Sequence, residues 1–558
     1  MITTKIITPA HSAYSYQLLI SRILEQPLKY KPNTEIVYRN ISRYTYKDLY
    51  KRVSKLANLL TEHLAVKPGE TVAIVDYDSH RYLEGYFAIP MIGAVLHTIN
   101  FRLSSEEILY TINHAEDKVI FCHKDFLPLL ENLQDKMQTV NKIVVTSDDD
   151  KEVVSSIKHE GEYEALLSRQ KEEYKFPDFD ENSIATIFFT TGTTGLPKGV
   201  YFSHRQLVLH TLGLTTTMGA MDSTVKISSD DVYMPITPMF HVHAWGFPYL
   251  ATYLAMKQVY PGKYEPAMLL KLKQSEKVTI SHGVPTILQM ICGHPDVDKI
   301  NLTDWKMISG GSALPKGLAK KVLSLGINVI IGYGMSETCP VISLSYLDKQ
   351  IMNSLNDDEK IDMRLKAGIP IHLSDVKLRN DAGEFVANDG MSQGEVVVRA
   401  PWTTTGYYND PKHSEELWKD GYLHTGDIAR IDKAGVITVT DRKKDVIKSG
   451  GEWVSSLLVE NLLSSYHGIT EAAVVAMPDD KWIERPLAVV VPKPNENITS
   501  ENLNQHLQQF VDSGKIKSFA IPKEYRFVTE LPRTSAGKID KKKIRASISQ
   551  NRDIKLIF

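Results

Sequence analysis

Residues 190–199, TTGTTGLPKG, gather the hydroxyls of Thr190, Thr191, Thr193 and Thr194, the glycines Gly192, Gly195 and Gly199, and the ammonium of Lys198. Glycines let the backbone turn tightly and bring its N–H groups close to an anion. The hydroxyls add donors and the lysine adds a mobile positive charge. That is the chemistry of a phosphate cradle. Directly before it, residues 185–189 (ATIFF) read as a buried strand that would hold the loop in place. The loop of the nucleotide hydrolases, Gly-x-x-x-x-Gly-Lys-Ser/Thr, is excluded, because Pro197 precedes the lysine and Gly199 follows it.

Further residues of the right type follow downstream. In residues 309–313 (SGGSA), Gly310 and Gly311 permit close approach of backbone to a flat ring. Residues 331–338 (IGYGMSET) offer the aromatic face of Tyr333 for a base, the Ser336 hydroxyl for a phosphate, and Glu337 as a hard oxygen ligand for Mg2+. Asp427, in YLHTGD, is a carboxylate at a turn, suited to accept hydrogen bonds from two ribose hydroxyls. His241 and His243, in PITPMFHVHAW, would share a face if that stretch were a strand. No cysteine or carboxylate stands beside them, so a metal pair is not the reading adopted.

These residues need a scaffold, and the 558-residue chain is too long for a single core. Amphipathic stretches, such as residues 45–64 with Thr45 as N-cap, alternate with short apolar runs at 72–75 and 119–121. That alternation predicts an α/β fold with a largely parallel sheet, continuing through runs at 278–280 and 329–331. After about residue 365 short strands such as 395–398 alternate with Gly/Asp/Asn turns, predicting a small β subdomain. Beyond the charge cluster at 441–445, runs at 471–475 and 487–491 and a helix over 500–511 predict a separate α+β domain. The charged runs at 148–152 and 171–175 read as solvated loops, and Lys541, Lys542 and Lys543 as solvated charges.

Apolar and charged contents of 42% and 24%, with a net charge of −2, argue against bulk binding to nucleic acid or to a membrane surface. Cys122, Cys292 and Cys339 are scattered, which fits a reducing cytoplasm and gives neither a disulfide framework nor zinc spacing. Neither a secretion signal nor a transmembrane segment is expected.

The loop at 190–199 resembles, almost residue for residue, the signature loop of the adenylate-forming (ANL) superfamily, which contains acyl-CoA synthetases, luciferases and peptide-synthetase adenylation domains. Tyr333 to Glu337 resembles that family's Tyr-Gly-x-Thr-Glu motif, with Ser336 keeping the hydroxyl. The resemblance extends over essentially the whole chain and looks closest to fatty acyl-CoA synthetases of medium- to long-chain specificity. It implies a large N-terminal adenylation domain (1–443) of mixed sheets flanked by helices, including the small β subdomain. It also implies a smaller, mobile α+β C-terminal domain (444–558).

The residue roles below are what the resemblance implies. Lys538, Glu337 and Thr190 would be catalytic, with Thr190 and Glu337 at Mg2+. Thr191, Gly192, Thr193, Thr194, Gly195, Lys198, Gly311, Gly332, Tyr333, Ser336, Asp427, Arg442 and Lys448 would contact the nucleotide. His241, Val242, Trp245 and Trp453 would line the acyl pocket, with Trp245 standing between the ATP site and an acyl tunnel. Gly450 and Gly451 would border the pantetheine channel and Lys444 would be the hinge. Amino-acid-activating members carry an Asp where this chain has His241, so a carboxylic acid without an ammonium group is the expected substrate. ATP, Mg2+ and CoA follow as reactants and cofactor, with a cytoplasmic homodimer acting in fatty acid metabolism. The alternatives are an acyl-AMP ligase serving a carrier protein, a luciferase-like oxygenase, and a non-catalytic acyl- or nucleotide-binding protein of the same fold.

Overall fold

The computed structural model describes residues 4–549 apart from 150, 152, 191–195, 346–347, 450–451, 480 and 535–537, with Glu452, Trp453 and Ser549 in backbone only. Two large sheets organise the first 370 residues. In the six-stranded sheet the order is Lys142–Thr146, Asp117–His123, Thr71–Val75, Val95–Thr98, Ile184–Thr190 and Lys198–Ser203. Every pair is parallel except the last, an antiparallel hairpin in which Thr190 faces Lys198. The nine-stranded sheet has a parallel centre, running Asn328–Gly334, Lys306–Ser309, Ile280–Gly283, Val232–Ile236, Lys257–Tyr260 and Glu35–Tyr38, with antiparallel strands at its edges.

Between these sheets lies the helix His80–Met91, buried along its whole length. Its apolar residues face both sheets, and its buried charges are paired, Arg81 with Asp76 and Asp148 and Glu84 with Arg52. Its Tyr82, Tyr86 and Phe87 join one core with Val72 and Phe188 of the first sheet and Tyr38, Tyr233 and Ile280 of the second. Other helices start where their sequences say. Thr45 and Asp48 form a reciprocal capping box at Tyr46–Asn58, and Ser203 and Gln206 form another at His204–Ala220.

The β subdomain is a five-stranded sheet containing Gly394–Arg399, Tyr422–Ile431 and Ile437–Arg442. The C-terminal unit is α+β. Its strand Ile469–Asp479 sends Ala472 and Val474 into one core and Ala473 and Val475 into another, the period-two alternation of a sheet covered on both faces. The expected mixed α/β architecture with a smaller α+β C-terminal part is therefore the one observed.

Three local expectations are corrected. The run at 278–280 becomes a strand only from Ile280, because Val278 N–H still bonds to Lys273 O at the end of the preceding helix and Lys277 takes a left-handed φ of 58°. Asp148 is no solvated loop residue. It accepts hydrogen bonds from Arg81 Nη2 and Tyr38 Oη, both at 2.7 Å, tying the first sheet to the second. Lys541 is likewise engaged, with Nζ 2.7 Å from Glu460 Oε1 and 2.7 Å from Ser456 Oγ.

That lysine belongs to the junction between the β subdomain and the C-terminal unit. Asp441, next to last in the strand Ile437–Arg442, accepts from Ser456 N–H at 2.5 Å and Ser456 Oγ at 3.1 Å. It thereby satisfies donors at the start of the helix Ser456–Ser464, where a carboxylate also suits the helix dipole.

Candidate active site

Open α/β sheets gather ligands at the carboxyl ends of their strands, and Thr190, Ser309 and Tyr333 stand at or near such ends. Thr190 closes the strand Ile184–Thr190, and Lys198 opens its hairpin partner. The residues between them that were expected at the phosphates, Thr191, Gly192, Thr193, Thr194 and Gly195, lie outside the described residues, as do Gly450 and Gly451 of the expected channel. The side chain of Trp453 is also undescribed.

Ser309 ends another parallel strand, and the chain then passes through Gly310 and Gly311. A Cβ on Gly310 would lie 2.7 Å from Gly332 O and 3.0 Å from the Trp245 ring, so only glycine fits. Gly311 has φ +78°, and a Cβ there would meet Lys538 Cε at 3.4 Å. Lys538 thus reaches from the C-terminal unit onto the end of the nine-stranded sheet.

From the strand Asn328–Gly334 the Tyr333 hydroxyl donates to Asp427 Oδ2 at 2.9 Å. Arg442 Nε lies 3.1 Å from Asp427 Oδ1, the two residues being register partners on adjacent antiparallel strands. The Ser336–Thr338 turn carries Ser336 and buries Glu337. Lys444 is exposed two residues beyond Arg442, and the exposed Lys448 bonds through its N–H to Glu484.

Lys538 is half-buried among these charges. Burial holds its ammonium down to about 8, with Arg442 and Lys444 acting in the same direction and Asp427 and Glu337 opposing. His241 is lowered to about 3, by burial first and then by Lys538 and Arg102, so it is neutral in the folded protein.

Residues 241–246 do not form a strand, so His241 and His243 share no face. Val242, His243, Ala244 and Trp245 all have positive φ, between 46° and 59°, and Gly246 follows at 76°. This left-handed turn buries Val242 and sends His243 among Tyr86, Phe188 and Phe202. Trp245 lies against His282, with ring centroids 5.0 Å apart, and His282 Nε2 is 2.8 Å from the Tyr233 hydroxyl. No group of three or more His, Cys, Asp or Glu able to hold a metal occurs among the described residues.

Two residues of this neighbourhood went unread in the sequence. Tyr407 donates its hydroxyl to Glu337 Oε1 at 2.7 Å, and Lys198 Nζ lies 4.8 Å from the centre of its ring. Burial and the Glu337 charge push that hydroxyl far upward, so it stays a donor. Asp78 is buried, and desolvation raises it to about 7. It accepts from Met239 N–H at 2.8 Å and from Tyr264 Oη at 2.5 Å, fixing the chain just before the left-handed turn. A tyrosine between Gly406 and Asn409 was the available signal for the first, since a buried hydroxyl needs a partner.

Comparison with known proteins identifies the family. A family model described as AMP-binding enzyme matches residues 24–408, and one described as AMP-binding enzyme C-terminal domain matches 458–538. The chain is 42% identical over 508 residues to a long-chain-fatty-acid–CoA ligase of Thermus thermophilus, covering 90% of each chain. It is 35% identical to a medium-chain-fatty-acid–CoA ligase of Ectopseudomonas oleovorans, covering 95% of this chain and 96% of the other. Its fold matches a crystal structure of an anthranilate CoA ligase in complex with anthranoyl-AMP, with a TM-score of 0.83 at 22% identity, over 96% of this chain and 98% of that one.

Proposed function

The chain belongs to the family of AMP-binding enzymes, and from that premise we propose that it is an AMP-forming fatty acid–CoA ligase. It activates a carboxylic acid as its acyl-adenylate with release of pyrophosphate, then passes the acyl group to the thiol of CoA with release of AMP. The observation that carries this reading is the position of Lys538. It comes from the C-terminal unit and lies against Gly311, within the field of Asp427, Arg442 and Glu337. A lysine there can hold an attacking carboxylate against the α-phosphate and stabilise charge as it develops.

The other residues divide the remaining work. Asp427, oriented by Tyr333 and Arg442, accepts the ribose hydroxyls. Gly310 and Gly311 let the backbone meet the adenine face, with Gly332 beneath them. The hairpin from Thr190 to Lys198, together with Ser336, takes the phosphates. Glu337 fits a hard cation, because its carboxylate is buried with Tyr407 bonded to one oxygen, and Thr190 would add a hydroxyl. Mg2+ held by these two would neutralise triphosphate charge.

His241 is neutral and stands where an ammonium-bearing substrate needs a carboxylate, so the acid carries no α-amino group. Trp245 packs over Gly310, between the nucleotide end of the site and the aromatic core that contains His243. The second half-reaction requires Lys538 to leave, by rotation of the C-terminal unit about Lys444, so that CoA can enter past residues 448–453.

The test is formation of CoA thioesters across a panel of straight-chain acids from short to long, with α-amino acids alongside. Efficient pyrophosphate exchange with amino acids and none with aliphatic acids would overturn the reading of His241. Adenylate formation followed by transfer to a carrier protein, and not to CoA, would overturn the assignment of the acceptor.

A further inference from the structure

Residues 404–408 run across the site as a strap, anchored on one side to Glu337 and on the other to the strand that Lys198 opens. Thr404 N–H donates to Glu337 O at 2.9 Å. The Tyr407 hydroxyl donates to Glu337 Oε1 at 2.7 Å. Tyr408 N–H donates to Gly199 O at 2.7 Å, one residue beyond Lys198, and Tyr407 forms a β-bridge with Val200. The strap is itself fixed from behind, where Tyr407 N–H donates to Ser414 Oγ and Trp418 Nε1 to Thr404 O.

We infer that Tyr407 is a positioning residue that joins the carboxylate of Glu337 to the phosphate-facing lysine Lys198. Its hydroxyl takes one carboxylate oxygen and so decides which oxygen Glu337 offers to a cation. The face of its ring carries the Lys198 ammonium, a favourable place for a cation. Both groups act on the triphosphate, one through a metal ion and one directly, and their separation is set by one side chain. This rests on the reading of Glu337 as a metal ligand given above.

The test is a double-mutant cycle read by binding, independent of turnover. Mn2+ is titrated into protein holding a non-hydrolysable ATP analogue, and free Mn2+ is measured by electron paramagnetic resonance. Tyr407→Phe keeps the ring beneath Lys198 and removes the hydroxyl. We expect it to weaken Mn2+ binding about tenfold, the scale of one hydrogen bond to a charged group. In a Glu337→Gln background the same change should cost much less. Acid KM should stay unchanged in Tyr407→Phe while the Mg2+ requirement rises. If Glu337→Gln binds Mn2+ as tightly as the parent, Glu337 is no ligand and the underlying reading falls together with this inference. If Glu337→Gln weakens binding but Tyr407→Phe does not, or costs the same in both backgrounds, the role of Tyr407 alone is overturned.

Discussion

In the proposed mechanism Lys538 bridges two anions and must be protonated to do so, yet its surroundings hold its ammonium at about 8. The protonated fraction therefore falls as pH rises through that value. Adenylation, measured as ATP–pyrophosphate exchange, should lose kcat/KM with unit slope above about pH 8. Arginine stays charged over this range, so Lys538→Arg should flatten that limb while lowering the rate. An alkaline limb unchanged in Lys538→Arg would assign it to another group. At this scale the sequence was readable where chemistry demands a rare residue at a fixed spacing, as from Tyr333 to Glu337. It was silent where the working group is an ordinary one made special by burial. Asp78 and Tyr407 stand in stretches with no motif of their own, and only tertiary packing brings them to Met239, Tyr264 and Glu337.

Strands and the capped helix after Thr45 were legible as elements, because a cap and the apolar runs act through neighbours in sequence. The left-handed turn at Val242–Trp245 was not, since no local preference favours four side-chain-bearing residues at positive φ. It exists because Asp78 fixes Met239 before it and the core takes Val242, His243 and Trp245. The element that results presents Trp245 to Gly310, and two predictions belong to it. Trp245→Ala should change the preferred acid chain length or the acid KM and leave ATP binding within about twofold, because it opens the turn without touching Asp427 or Arg442. Gly310→Ala should harm both substrates, since its new methyl would meet Gly332 O on one side and the indole on the other. Binding isotherms for ATP and for a fatty acid, measured separately, check both.

Across the whole molecule, contacts on the two sides of Lys444 hold the C-terminal unit where Lys538 meets the nucleotide end of the site. Asp441 grips Ser456 from the β subdomain, while Lys541 ties Ser456 to Glu460. If one step uses this arrangement and the next abandons it, the half-reactions should separate on mutation. Lys538→Ala should slow adenylation about a hundredfold or more, the usual loss for a charge-stabilising contact in a water-poor site. The same variant should still convert preformed acyl-adenylate to acyl-CoA. Lys444→Pro fixes φ and should spare adenylation while impeding thioester formation. Equal loss of both steps in Lys538→Ala, or loss of adenylation first in Lys444→Pro, would contradict alternation between two domain orientations. The sequence held the order of these motifs, but not these contacts, because Lys541 meets Glu460 only when the C-terminal unit folds and Ser456 meets Asp441 only across the junction.

The hand of the turn at Val242–Trp245 reverses the ordinary ranking of substitutions. Removing a methyl from a buried alanine normally destabilises a protein, both by losing apolar burial and by loosening the unfolded chain. Ala244 is fully buried but sits at φ 46°, a conformation that costs an L-residue roughly 1–2 kcal/mol and glycine almost nothing. Ala244→Gly should therefore leave the melting temperature nearly where it was, whereas Ala251→Gly, in the helix Phe247–Tyr253, should lower it. A clear drop for Ala244→Gly would show that its methyl contributes more than its backbone costs. With stability unchanged, any broadening of the range of acids accepted by Ala244→Gly would show that the constrained backbone of this turn bears on the choice of acid.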